Sequence, residues 1–261
     1  MVDIVISEFL DEEAVNYLKK DFKVLYDPNL VNDTEKLYKE IQPCRGLIVR
    51  NRTQVRGPLL KSAPNLLIVG RLGVGLDNID MAACKNRNVL VQPARGTLEE
   101  SVSEYVIGAM LVMLRKEMYS CTEEVRSGKW PRTKVTGREA KSQTLGLIGF
   151  GIIGREVAKR AQSFGMNMLA YDPFLTHDDP LWSEFNVSPK SLDDLLKESD
   201  VITLSVPRTD GTSHLIDTRA LAKMKKSAVL INTARGGVVD DQALATALKE
   251  GNIGGAFIDV F

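Results

Sequence analysis

Short β-branched runs alternate with amphipathic segments almost from end to end of this chain, and that alternation restricts it to parallel βαβ architecture. VDIVIS is followed by DEEAVNYLKK, FKVLY by DTEKLYKEI, GLIV by GPLLKSA and LLIVG by DMAACKNR. The pattern resumes after residue 143 as TLGLIGF, IIGREVAKRAQSFG, NMLAYD, SLDDLLKES, DVITLSV, TRALAKMK, AVLINTA, DDQALATALKEG and GAFIDVF. Between the two series, from Ser101 to about Ser127, neither pattern holds. VSEYVIGAMLVMLRK is apolar nearly all round a helix, which predicts burial against a neighbouring domain or subunit. Residues 129–143, KWPRTKVTGREAKSQ, read as a loop. The expectation is an α/β chain of two units, 1–98 and 99–261, meeting near Gly96 to Glu100, the second built on a doubly wound parallel sheet.

Composition narrows the function classes. With 34 Lys+Arg against 34 Asp+Glu the net charge is zero, which gives no field to draw the chain onto nucleic acid or an anionic membrane. The longest apolar stretch, Tyr105 to Leu114, is shorter than the roughly 18 to 20 residues a membrane span needs. The start MVDIVISEF carries no basic targeting region. A soluble, cytoplasmic protein is expected, with Cys44, Cys84 and Cys121 as reduced thiols and no metal site, because no histidine spacing accompanies them.

Strand-like TLGLIGF passes into helix-like IIGREVAKRAQSFG through Gly149, Gly151 and Gly154, a G-x-G-x-x-G in the strand–turn–helix setting its mechanism requires. The first glycine makes the tight turn, the second admits a pyrophosphate to the backbone, and the third packs helix on strand. Gly149, Phe150, Gly151, Ile152, Ile153 and Gly154 are therefore candidate cofactor contacts, the helix N-terminus offering free N–H groups to phosphate. Asp172 closes the next strand, about 20 residues on, where an acid meets the adenosine ribose hydroxyls. A carboxylate there repels a 2′-phosphate, so NAD is expected over NADP.

The strand VLINT leads into Thr233, Ala234, Arg235, Gly236 and Gly237. Ligands of open α/β sheets sit off the carboxyl ends of strands. A guanidinium emerging there can fork onto a substrate carboxylate and polarise a carbonyl oxygen.

RLGVGLDNID (71–80), SVSEYVIG (101–108), the glycine turn with Asp172, SVPRTDGTSHLI (205–216), NTARGGVVDDQAL (232–244) and GAFIDVF (255–261) together resemble the NAD-dependent D-2-hydroxyacid dehydrogenases. The resemblance implies a flavodoxin-like substrate domain followed by a Rossmann domain, with the active site between them. It implies hydride transfer between NAD and a small D-2-hydroxy (or 2-oxo) acid. It makes Arg235 the catalytic arginine and assigns the backbone N–H groups of Val74 and Gly75 to the substrate carboxylate. Val206 and Pro207 would border the adenine, Thr233 and Ala234 would touch the cofactor, and Asp259 would hold the nicotinamide carboxamide. The helix at 101–115 matches the family's dimerisation segment, so a homodimer is implied.

VRNRTQV (49–55) resembles the loop of the 3-phosphoglycerate dehydrogenases, and together with PARGTLEESVSEYVIG also the sulfolactate dehydrogenase branch. Arg50, Asn51 and Arg52 would face the far end of a substrate such as 3-phosphoglycerate or 3-sulfolactate, where two guanidiniums suit a second anion. The plainer alternative is a solvated loop whose arginines pair with surface acids.

The family's His–Glu proton relay falls beyond the GAFIDVF match, and His177 and His214 match neither position; both are expected to be exposed or capping residues. The chain is accordingly expected to be truncated, with a Rossmann sheet lacking its last strand, and to be inactive as it stands. The rival reading is an NAD(H)-sensing binding module similar to the dehydrogenase-like corepressors, without turnover.

Overall fold

Parallel pairing governs both halves of the chain. In the structure, a computed structural model describing residues 2–261, the chain divides into two compact units, one ending at Leu98 and one running Glu99–Phe261.

The first unit runs β1 (Ile4–Ile6), α1 (Glu12–Leu18), β2 (Val24–Tyr26), α2 (Thr34–Ile41), β3 (Gly46–Val49), α3 (Gly57–Ser62), β4 (Ile68–Arg71), α4 (Met81–Asn86) and β5 (Leu90–Pro93). Its five strands are all parallel in the order β2-β1-β3-β4-β5, the flavodoxin-like arrangement. Val5, Leu47, Val49 and Val69 are fully buried against Leu37 and Ile41 of α2 and Leu59 and Leu60 of α3. Carboxylates start the helices: Asp11, Asp33 and Asp80 each accept a first-turn backbone N–H. Strand β5 is absent from the alternation read in the sequence.

The second unit contains α5 (Glu99–Met113), α6 (Lys116–Ser120), α7 (Thr122–Arg126), β6 (Thr144–Ile148), α8 (Ile152–Gln162), β7 (Asn167–Tyr171), α9 (Pro180–Glu184), β8 (Ser188–Pro189), α10 (Leu192–Glu198), β9 (Val201–Leu204), α11 (Thr218–Lys223), β10 (Val229–Asn232), α12 (Asp241–Lys249) and β11 (Gly255–Ile258). Its strands are ordered β11-β10-β9-β6-β7-β8, which counted from β6 is the dinucleotide-binding order 3-2-1-4-5-6 reversed. Alternate residues face opposite layers: Leu145, Leu147, Val229 and Ile231 pack with α5 and α8, whereas Ile148, Ile202, Leu204 and Leu230 pack with α10, α11 and α12.

Two expectations are corrected. Sequence alternation picks out five strands here, but the described residues form six. The uncounted one is β8 at the edge beside β7, two residues long and containing a proline, too short for any periodicity to show. The packed helix read at 101–115 is one helix whose bounds lie two residues earlier. α5 ends at Met113, and the next carbonyl, that of Leu114, accepts the N–H of Arg138 from the loop that follows. No helix among the described residues is long and apolar enough to cross a membrane.

Candidate active site

The chain order reverses between β6 and β9, and the glycine-rich turn leaves β6 at that switch point, the place where open α/β sheets bind ligands. The three glycines occupy different environments. Gly149 has φ +90, and a side chain there would meet the Ser205 carbonyl oxygen at 2.6 Å. A side chain on Gly154 would stand 2.4 Å from the Gly149 oxygen, so α8 lies on the turn only because that side chain is absent. Gly151 faces open space, with nothing within 4 Å of its would-be Cβ. It is the N-cap of α8, no side chain caps it, and the N–H groups of Gly151, Ile152, Ile153 and Gly154 meet no acceptor among the described residues. The result is an uncapped helix N-terminus beside an empty approach, which suits a pyrophosphate.

Phe150 differs from its neighbours in the turn. Its ring is buried, stacked on Trp182 at 5.0 Å and edge-on to Phe185 at 5.7 Å. Its N–H donates to Asp172 Oδ2 at 2.9 Å, while Asp172 Oδ1 accepts from the Phe174 N–H at 3.0 Å. The acid after β7 thus ties the glycine turn to its own loop, and each oxygen keeps a lone pair for another donor. A cavity of about 480 Å³ opens beside it, lined by His177, Trp182 and Lys190 among others. Val206 reaches the turn from β9, its Cγ1 lying 2.9 Å from the would-be Cβ of Gly149. The Pro207 carbonyl accepts from Thr212 Oγ1 at 2.6 Å.

Past β10 the chain is shaped by Asn232, a buried residue missed at the level of sequence. Its Oδ1 accepts from the Ala234 N–H at 3.0 Å, its Nδ2 donates to the Arg235 carbonyl at 3.1 Å, and its own carbonyl accepts from the Asp259 N–H. One side chain thereby fixes the loop through Thr233 and Ala234 that presents Arg235, whose Nη1 donates to the Ala234 carbonyl at 2.6 Å. Asp259 Oδ1 accepts from the Tyr105 hydroxyl at 3.1 Å, and the Tyr105 ring packs edge-on against Phe257. Partial burial and the Asp259 carboxylate raise the Tyr105 phenol above its usual range. Tyr105, 48% exposed, belongs to a helix read from sequence only as a packing element.

Within the first unit, the N–H groups of Val74 and Gly75 follow β4 and find no acceptor among the described residues. Arg50, Asn51 and Arg52 follow β3 with exposed side chains. The Arg50 guanidinium lies 5.9 Å from the Phe9 ring centroid, and Arg52 Nη2 donates to Asn32 Oδ1 at 2.6 Å. Neither is paired with a carboxylate among the described residues, contrary to the plain reading of a salt-bridged surface loop. The loop backbone is held by Glu8: Oε1 accepts from the N–H groups of Arg50 and Thr53, both at 2.9 Å, and Oε2 from that of Arg52 at 3.1 Å. Asn78 Nδ2 donates to the carbonyls of Arg50 and Thr53. Burial acts to raise the Glu8 carboxyl, but its hydrogen bonds from Thr53, Arg50 and Arg52 outweigh that and hold it below the ordinary glutamate range.

His177 is exposed, and His214, also exposed, has φ +50 with its ring 3.9 Å from the Asp240 carboxylate that caps α12. Among the described residues no group of three or more His, Cys, Asp or Glu could hold a metal ion.

Residues 107–261 match the family described as D-isomer specific 2-hydroxyacid dehydrogenase, NAD binding domain. The chain belongs to that family. This dehydrogenase is 48% identical over 261 residues to the (S)-sulfolactate dehydrogenase of Chromohalobacter salexigens, spanning all of this chain and 84% of that protein. It is 38% identical over 258 residues to the D-3-phosphoglycerate dehydrogenase of Archaeoglobus fulgidus, covering 99% of this chain but about half, 48%, of that one. The D-lactate dehydrogenase of Aquifex aeolicus, solved with NAD and lactic acid, superposes with a TM-score of 0.85 at 31% identity, over 99% of this chain and 77% of the other. NAD is therefore the cofactor of this dehydrogenase, and its catalytic class is NAD-dependent oxidation or reduction at a 2-hydroxy or 2-oxo acid. Relatives named as dehydrogenases favour the enzyme over the binding-module alternative.

Proposed function

We propose that this dehydrogenase acts on a 2-hydroxy acid carrying a second anion at C3, with 3-sulfolactate as substrate. The observation that carries the proposal is the loop after β3, where Arg50 and Arg52 are exposed, free of carboxylate partners and anchored through their backbone. Two guanidiniums on a fixed loop supply planar, paired donors that match a sulfonate or phosphate. The similarity to a sulfolactate dehydrogenase over the full chain supports the sulfonate; 3-phosphoglycerate is the second reading, on the phosphoglycerate dehydrogenase relative.

In this reading the second unit, from Glu99 onward, holds the cofactor and the first holds the substrate's anions. NAD supplies the nicotinamide that exchanges a hydride with C2. The free N–H groups of Gly151 to Gly154 take the pyrophosphate, Asp172 the ribose hydroxyls, Val206 and Pro207 the adenine, and Thr233 and Ala234 border the cofactor beside Arg235. Asp259, oriented by Tyr105, takes the carboxamide. Val74 and Gly75 donate to the substrate carboxylate. Arg235 forks onto that carboxylate and the C2 oxygen, where charge develops during transfer.

Apolar side chains exposed along α5 and α6, Tyr105, Met118 and Tyr119, support a homodimer joined through residues 101–115, and three free cysteines accord with a cytoplasmic location. The test compares kcat/KM of the full-length enzyme for 3-sulfolactate, 3-phosphoglycerate, glycerate and lactate. Preference for the doubly anionic acids is expected, and equal efficiency on lactate would remove any role for the arginines.

A further inference from the structure

We propose that Glu8 is the positioning residue of the anion-recognition loop: its buried carboxylate folds residues 50–53 into the one conformation that presents Arg50 and Arg52 together. The inference rests on the reading of those arginines as contacts for the substrate's second anion.

Glu8 lies just past the end of β1 and is 5% exposed. A carboxylate at that depth is costly unless its lone pairs are met. No cation meets them; three backbone N–H groups and the Thr53 hydroxyl, all from one short loop, do. Such a nest of amides binds an anion, and here the anion is the protein's own side chain. The chemistry at the position is narrow. All of these partners donate, and the N–H groups are spread over both carboxylate oxygens, so only a group that accepts at both ends satisfies them. A glutamine would turn an NH₂ toward one end and set donor against donor. The carbonyls of Arg50 and Thr53 are claimed too, by Asn78 Nδ2 at 3.1 and 2.7 Å, and Thr53 Oγ1 is hydrogen-bonded to Ser7 Oγ at 2.9 Å. The backbone is thus clamped on its donor and acceptor sides, while Arg50 and Arg52 project to solvent, steadied by Phe9 and Asn32.

This arrangement gives the variant an unusual sign. A negative charge bonded to the backbone of the loop that carries the two guanidiniums opposes an incoming sulfonate, so a purely electrostatic account has Glu8→Gln improving substrate binding. Positioning has it worsening. The full-length enzyme, saturated with cofactor, is assayed on 3-sulfolactate and on lactate, which lacks the second anion. Glu8→Gln is expected to raise KM for 3-sulfolactate about tenfold, the loss of one charge-assisted contact. Its kcat should move much less, as should KM for lactate and the NADH dissociation constant. Glu8→Asp keeps the charge but shortens the reach, and is expected to fall between parent and Glu8→Gln; it also serves should the glutamine variant not fold. An unchanged or lowered KM for 3-sulfolactate in whichever variant folds, or a parallel loss on both substrates, would overturn the proposal. A double variant, Arg50→Ala with Arg52→Ala, separates the two ideas. If it keeps the parent's preference for 3-sulfolactate, the arginines have no such role and the proposal falls with them. If it loses the preference while Glu8→Gln retains it, only the role of Glu8 is refuted.

Discussion

Asp172 shows how one side chain can serve both the fold and a ligand. Its two oxygens hold the N–H groups of Phe150 and Phe174, and both retain lone pairs toward the open side of the turn. Asp172→Ser is expected to weaken NADH binding about tenfold or more and to narrow the advantage over NADPH, since the repelling charge goes with the acceptor. Fluorescence titration with both nucleotides checks it, and an unaltered preference would assign the selectivity elsewhere. Arg235→Lys should lower kcat by about 10² or more while leaving NADH binding almost unchanged, because an ammonium cannot reproduce the planar fork. Near-parental turnover would remove Arg235 from the chemistry. Glu8 makes a prediction in pH. Its folded-state pKa is depressed below the ordinary 4.5, so its contribution to stability is complete above that value and is lost as pH falls through the lower folded one. Urea unfolding of parent and Glu8→Gln from neutrality down to about pH 3 should show the parent losing more stability over the acid limb than the variant.

At the scale of elements, the β6–α8 turn divides stability from binding between two glycines only three residues apart. Gly154→Ala drives a methyl against the Gly149 carbonyl, a backbone atom that cannot step aside, and should cost about 1 to 3 kcal/mol, seen as a fall in Tm. Gly151→Ala adds its methyl to open space. Tm should hold while NADH affinity drops, because the methyl occupies the approach to the helix N-terminus. Equal Tm losses in the two variants would mean that Gly151 is structural as well. This turn is legible in the sequence because its whole mechanism is local: strand, glycines and helix are consecutive. Strand β8 was not legible, since two residues beside β7 carry no periodicity and exist as a strand only through that pairing. Nor was the end of α5 at Met113: no breaker stands there, and the Leu114 carbonyl accepts the N–H of Arg138, far along the sequence.

Across the whole molecule, the two parallel sheets follow from the alternation of strand-like and helix-like segments, a signal repeated often enough to survive a missed strand or two. The candidate site is divided less evenly. Residues whose proposed work is done by backbone at a strand end, Gly151, Val74 and Gly75, stand in recognisable motifs. Residues that orient others do not: Glu8 acts 42 to 45 positions away in sequence, and Tyr105 meets Asp259 across 154. No window of sequence holds both partners, so only the folded chain reveals them. The proposed division of labour also predicts where protection should appear. The N–H groups of Gly151 to Gly154 and of Val74 and Gly75 have no acceptors among the described residues, and should exchange with solvent quickly in the ligand-free protein. NADH alone should slow exchange at Gly151 to Gly154 and leave Val74 and Gly75 fast, since the proposed pyrophosphate cradle is the N-terminus of α8. Adding 3-sulfolactate to the NADH complex, which holds no oxidised cofactor to turn it over, should then slow Val74 and Gly75. The amides of Arg50, Arg52 and Thr53, already bonded to Glu8, should be slow throughout. Hydrogen–deuterium exchange resolved to these peptides reads all three groups in one experiment. Protection of Val74 and Gly75 by NADH alone, equal to that with substrate present, would show that these donors serve the cofactor, and the substrate carboxylate would then need another cradle.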